Sequence, residues 1–299
     1  MKNTQAATIR RRRLTRTVSV VGVIAIAAVL WATLPAHSHD RHPSHPGSGS
    51  TPTPTSTANV EAATKSLHSL LLHYVDQRQG SVAVAVYDGV AKKLIVVHPR
   101  VRGRTASIVK VDILETLLHK TDGHLTEDQR ETATSMIENS NNDSATDLWN
   151  QDGGAPGVHA YNNDVGLQQT TPNVDWGLTT TSASDQVTLV RLLLHHNDLL
   201  TNGGRKFQRT LMRHVEADQR WGITGGVPKT ATVGIKNGWL PVSEDHNLWA
   251  VNSIGWVHGT DRHYEIAVLT QHQPYEDYGI DTIQHVARLV WNHVMRTTS

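Results

Sequence analysis

Thr105-Ala106-Ser107-Ile108-Val109-Lys110 is the stretch whose reading decides the fold. Read at about 100° per residue as a helix running to Lys120, it places Asp112, Glu115, Thr116 and His119 on one polar side. Ser107, Lys110, Leu114 and Leu117 share roughly the opposite side. Lys110 therefore faces the core, one turn after a serine at the helix start. Burial disfavours the ammonium form and lowers a lysine pKa. Such an amine takes a proton from a neighbouring hydroxyl and turns the serine into a nucleophile. The helix N-terminus favours negative charge developing near Ser107. The plain alternative is an N-cap serine followed by a lysine whose head returns to water, and Ser-x-x-Lys alone does not separate the two.

The 299 residues suffice for one large domain or two small ones, and at 38% hydrophobic a substantial core is expected. The net charge of +1 conceals an asymmetry. Lys2, Arg10, Arg11, Arg12, Arg13 and Arg16 precede the first acidic residue, Asp40, leaving 22 basic against 27 acidic residues beyond Ser38. That balance excludes a basic nucleic-acid footprint on the folded part. The absence of cysteine excludes disulfides, a thiolate metal site, a cysteine nucleophile and a lipid-modified N-terminal cysteine.

A basic start, the apolar run Val18–Leu34 and small residues at Ala36 and Ser38 make residues 1–38 an export signal or anchor. The rest is expected to be secreted or associated with the cell envelope, touching a membrane only through this segment. Residues 39–59 are rich in Pro, Ser, Thr, Gly and His without periodicity and are expected to be a disordered linker. His37, His39, His42 and His45 lack ordered ligand spacing, so no metal is expected there. The pairs His195-His196 and His258/His263 likewise lack a carboxylate partner in a ligand pattern.

From residue 60 onward the chain reads as one domain. Val60–Gln77 is an amphipathic helix, and Ser81–Tyr87 and Lys93–His98 are strands joined at Asp88-Gly89. Helices are expected at Thr126–Asn139, Ser144–Gln151 and Ser184–His196, with a break at Gly153–Gly157 and an irregular loop at Gln168–Leu178. Ala231–Trp239, Leu248–Val257 and Tyr264–Gln271 have the composition of strands, and Asp281–Met295 closes the chain as a helix. Strands near both ends with helices between predict an α+β fold. An antiparallel sheet flanked by helices (60–104 and 225–299, an αβα sandwich) adjoins an all-helical lobe (105–224).

Two further motifs follow in chain order. Ser140-Asn141-Asn142 joins two helices, and its plain reading is a helix stop with a fresh N-cap. Lys236-Asn237-Gly238-Trp239 is expected at the end of a strand, with a bulge glycine as its plain reading. The chain has one Ser-x-x-Lys and one Lys-x-Gly. The order Ser-x-x-Lys, Ser-x-Asn, Lys-x-Gly resembles the penicillin-recognising serine hydrolases, the class A β-lactamases and penicillin-binding proteins. Thr179-Thr180-Thr181 is similar to the end of their omega loop.

That resemblance implies roles. Ser107 attacks a carbonyl and forms an acyl-enzyme, Lys110 accepts its proton, and Ser140 passes a proton to the leaving nitrogen beside Lys236. Asn142 binds the substrate side-chain amide, while Asn237, Gly238 and Trp239 contribute to substrate binding. The N–H groups of Ser107 and Trp239 form the oxyanion hole. No cofactor is implied, and the expected ligand is a small β-lactam or a peptidoglycan stem peptide, met by a monomer. Departures accompany the match. Asn141 replaces an aspartate, Asn237 a hydroxyl residue, and Trp239 a small residue. The Lys110–Ser140 spacing is short, so the helical lobe is trimmed. The omega-loop glutamate that activates the deacylating water is missing, since no glutamate lies between Glu138 and Glu216. Asp175 is the only carboxylate in Val165–Thr181 and stands as a weak surrogate base, against a plain turn aspartate. Three functions follow: a β-lactamase-like hydrolase, a D-Ala-D-Ala-type peptidase with slow deacylation, and a non-catalytic binding or sensor protein. Most tryptophans are read as core or cleft wall, with Arg220-Trp221-Gly222 shaping the cleft rim.

Overall fold

The computed structural model describes residues 57–297; the expected export signal and most of the expected linker lie outside them. The chain runs α1 (Thr57–Val75), β1 (Ser81–Asp88), β2 (Lys93–Val97), β3 (Gly103–Arg104), a 3₁₀ turn at Ala106–Ile108 and α2 (Val109–Lys120). Then come α3 (Glu127–Glu138), α4 (Asn142–Asp152), α5 (Gly154–Val165), β4 (Thr180–Thr181), α6 (Ala183–Leu194) and α7 (Asn202–Arg213). The chain returns to the sheet through β5 (Thr232–Val242), β6 (Leu248–His258) and β7 (His263–Gln273) and ends in α8 (Glu276–His293). The helix α1 begins at Thr57, inside the expected linker.

The sheet follows from period-two alternation. β1 reads Ser-Val-Ala-Val-Ala-Val, and its valines Val82, Val84 and Val86 enter the core with Leu67 and Leu71 of α1 and Ile283 and Val286 of α8. Its alanines Ala83 and Ala85 face the other way, into the core shared with α2, α3 and α6. Helices on both faces bury both sides of the strand, which is why it is a continuous apolar run. The five strands are antiparallel in the order β2-β1-β7-β6-β5, so the two chain ends interleave and β5 forms one edge. A two-stranded ladder, β3 with β4, ties the chain ahead of Ser107 to the end of the long loop after α5. The α+β architecture, an antiparallel sheet flanked by helices plus a helical lobe, is as the sequence reads.

Several local expectations differ. The glycine-rich stretch after α4 does not interrupt structure. Gly153 caps α4 at φ +99° and the next helix starts at once. α7 went unassigned in the sequence. The polar side of α2 does not face water, because Asp112, Glu115 and Thr116 are buried. Asn162 Nδ2 donates to Asp112 and Tyr161 Oη to Glu115, so α5 covers that face with polar partners.

Candidate active site

Ser107 sits inside the 3₁₀ turn, not at an N-cap; α2 starts after Ile108, which caps nothing with its side chain. The preceding Ala106 has φ +48°, a conformation costly for a residue with a Cβ. Hydrogen bonds to the backbone just ahead of it hold the turn. Thr105 N–H donates to Thr179 O, and Asn252 Nδ2 donates to the carbonyls of Arg104 and Thr105. Gly238 explains the glycine of the third motif. A Cβ there would lie 2.6 Å from the backbone nitrogens of both Ser107 and Ile108. The β5–β6 register runs unbroken through this position, so the glycine serves close approach and no bulge exists. β5 continues to Val242, which places the motif inside the strand.

Lys110 is fully buried, and its head does not return to water. Its Nζ donates to Ser140 O at 2.7 Å, to Ser140 Oγ at 3.2 Å and to Asn142 Oδ1 at 2.8 Å. Lys236, equally buried, donates to Ser140 Oγ at 2.9 Å and to Asn237 O at 3.0 Å. One hydroxyl thus lies between two amines. Ser107, Ser140, Asn142, Asn139, Gln219 and Trp239 line a single cavity of about 260 Å³ beside them. Desolvation lowers the Lys110 pKa to about 7. Burial, then the neighbouring Lys110, holds Lys236 well below the ordinary lysine value. Two buried cations sharing one hydroxyl disfavour each other, so the pair gives up protons readily. Asn141, the middle residue of the second motif, is the N-cap of α4; its Oδ1 accepts from Ser144 N–H at 2.8 Å.

Two residues singled out in the sequence lie off the cavity that Ser107 lines. Asn237 is fully buried and does not line the cavity. One residue along a strand from Lys236, it points to the opposite face of the sheet. Its Nδ2 donates to the carbonyls of Gln219 and Trp221, so it pins the loop ahead of β5. Asp175 is exposed and borders a separate cavity with Thr146, Trp149, Asn150 and Val174. Its neighbour Trp176 comes closer to the chemistry. The indole lies 5.0 Å from Lys110 Nζ, with Nε1 donating to Thr146 Oγ1. Sequence reasoning took Trp176 only as one of several core or cleft-wall tryptophans and Asn139 only as part of the junction between two helices, and it missed Gln219.

A model of the β-lactamase enzyme family matches residues 81–294. The chain belongs to the β-lactamase enzyme family. Among solved structures it is similar to TLA-1 extended-spectrum β-lactamase, at 19% identity and TM-score 0.68 over 77% of this chain and 99% of that one. It is similar to a PBP-A variant in acyl-enzyme complex with penicillin G, at 20% identity and TM-score 0.66 over 76% of this chain and 96% of that one. It is also similar to a class A β-lactamase from Bacteroides cellulosilyticus DSM 14838, at 17% identity and TM-score 0.67 over 77% and 98%. No curated protein matches the sequence. At these identities the structural likeness establishes the β-lactamase fold, and the site geometry must carry the chemistry.

Proposed function

We propose that this member of the β-lactamase family is an exported serine hydrolase that forms an acyl-enzyme at Ser107 on β-lactams or related cell-wall peptide amides, and that it deacylates slowly. The observation that carries the reading is Ser140 Oγ between two buried amines, in the cavity that Ser107 also lines. With its pKa near 7, Lys110 has a free lone pair in part of the population at neutral pH and takes the Ser107 proton as the Oγ–C bond forms. The N–H groups of Ser107 and Trp239 stabilise the oxyanion. Ser140 delivers a proton to the leaving nitrogen as the C–N bond breaks and takes the serine proton in turn from Lys110, while Lys236 beside it keeps the local field positive. Asn142 takes the substrate side-chain amide.

The second half-reaction needs a base within hydrogen-bond reach of a water. The residues lining the cavity with Ser107 are hydroxyls, amides and one indole. Trp176 lies against Lys110, and Asp175 borders the neighbouring cavity. Both features favour the penicillin-binding peptidase reading over a fast β-lactamase. The N-terminal pattern of the sequence supports an extracytoplasmic location. Intact-mass measurement after millimolar benzylpenicillin tests the reading. We expect an adduct of one penicillin, lost slowly, absent in Ser107→Ala and decaying at the same rate in Asp175→Ala. Rapid turnover of a chromogenic cephalosporin restores the β-lactamase reading. No adduct from penicillin or from a simple thioester leaves a binding protein.

A further inference from the structure

A proton donor must reach the leaving nitrogen, so Ser140 fixes the side of the cleft on which the departing amine lies. Beyond Ser140 the cavity is lined by Asn139, Gln219 and, on the edge strand, Trp239. Trp239 meets Trp221 edge-on, with ring centroids 5.5 Å apart at 64°. Trp221 is held from two sides. Asn237 donates to its carbonyl, and Gly222 follows at φ +83°, where a Cβ would come within 2.5 Å of Ser253 Oγ. The two amide side chains of the wall are tied to one exposed carboxylate. Asn139 Nδ2 donates to Glu216 Oε1 at 2.5 Å, and Gln219 Nε2 donates to Glu216 Oε2 at 3.5 Å. Asp218 is exposed on the same turn. The guanidinium of Arg220 is turned away, donating to Arg213 O and Val233 O beside another cavity.

We propose that this aromatic and acidic rim receives a positively charged leaving group, so that the preferred substrates are amides whose amine half carries an ammonium or guanidinium on an apolar stem. The inference rests on the acylation chemistry proposed above. An indole attracts a cation, and a nearby carboxylate adds to the attraction. A carboxylate in the same place meets Glu216 and gives up hydration for little in return. The bond changes are those of acylation: Ser107 Oγ–C forms, C–N breaks, and the serine proton ends on the departing amine. Penicillin, whose leaving nitrogen sits in a ring bearing a carboxylate, is then a slow acylating agent.

Three thioesters with one common acyl group test this on the full chain. Their thiol halves are thiocholine, its uncharged carbon isostere and mercaptopropionate. Acylation is read as thiol release and as the mass adduct on Ser107. We expect kcat/KM for the thiocholine ester to exceed that for the mercaptopropionate ester by ~10-fold or more, falling to under ~3-fold in Glu216→Gln. Trp239→Ala should slow both the thiocholine ester and its isostere. Equal rates, a preference for mercaptopropionate, or a full thiocholine advantage in Glu216→Gln overturns the inference while acylation itself stands. No Ser107 adduct from any of the three esters removes the acylation reading and this inference together.

Discussion

Ser140 has φ +55°, in the left-handed region, and this backbone turn at the α3–α4 junction lets one hydroxyl accept from lysines on α2 and on β5. A side chain so placed passes protons only if one of its amine neighbours can be neutral. Desolvation brings Lys110 to about 7, so the neutral fraction grows steeply across the physiological range. The rate of Ser107 acylation should therefore rise with pH and reach half its plateau near pH 7, measured with an uncharged thioester. Lys110→Arg, which stays charged, should lose ~100-fold or more. A profile flat between about pH 6 and 8 would remove Lys110 as the base. Ser107, Lys110, Ser140 and Lys236 were legible in the sequence because their chemical types, in that order, are few. The burial of Asn237 away from the cavity was not legible, because a triplet of letters does not say which face of a strand each residue takes. Trp176 was read only as core or cleft wall, and its place against Lys110 was not legible because nothing periodic places a residue within a long loop.

At the scale of the element, helix and strand existence was legible and helix surroundings were not. The amphipathic reading of α2 separated an apolar side from a polar one correctly, yet a second layer of helices covers the polar side. Asp112 and Glu115 then find Asn162 and Tyr161 in place of water. Periodicity reports the chemistry of a face, while the number of neighbours is set by the whole chain. The second motif shows a local signal working twice. Asn141 caps α4, as an Asn/Ser/Asp cluster suggests, and the same turn carries Ser140 and Asn142 to Lys110. Losing the cap should cost both roles. Asn141→Ala is expected to lower stability by ~1 kcal/mol, or ~3 °C in Tm, and to slow acylation as the turn loosens. Asn141→Asp keeps the acceptor and adds a negative charge at a helix N-terminus, so it should match or exceed the parent Tm. Calorimetry of the two variants separates the cap from a mere surface position. Equal Tm for parent and Asn141→Ala would show that the turn is held by other contacts.

At the scale of the molecule, the split sheet was legible because strands at both ends of the domain can pair only if the helical middle is set aside as a lobe. That arrangement also buries charge in two opposite senses. Burial raises Asp112 to about 7 and Glu265 to about 7; burial, then Asp112, raises Asp152 to about 8; and burial, then Asp112, raises Glu115 well above its ordinary value. Between about pH 4, where unfolded carboxyls ionise, and pH 8, the folded protein keeps protons that the unfolded chain releases. Stability from these groups is therefore fully present at low pH and lost as pH rises through that window. Lys110 and Lys236 act the other way. Their folded pKa values are depressed, so from about pH 7 to 10 the unfolded chain holds protons that the folded one lacks, and stability climbs with pH. His195, His258 and His285, lowered mainly by burial, oppose the carboxyls below about pH 6.5, with smaller shifts. The balance puts a minimum of stability near neutrality, where ordinary domains have their maximum. Calorimetry at about pH 5, 7.5 and 9.5 should give its lowest Tm in the middle, by ~3 °C or more. Asp112→Asn should flatten the acid side, because the amide cannot ionise at any pH, and Lys110→Met should flatten the alkaline side. A single maximum near neutrality, unchanged by both variants, would mean that these buried groups keep their charges through partners other than those packed around them.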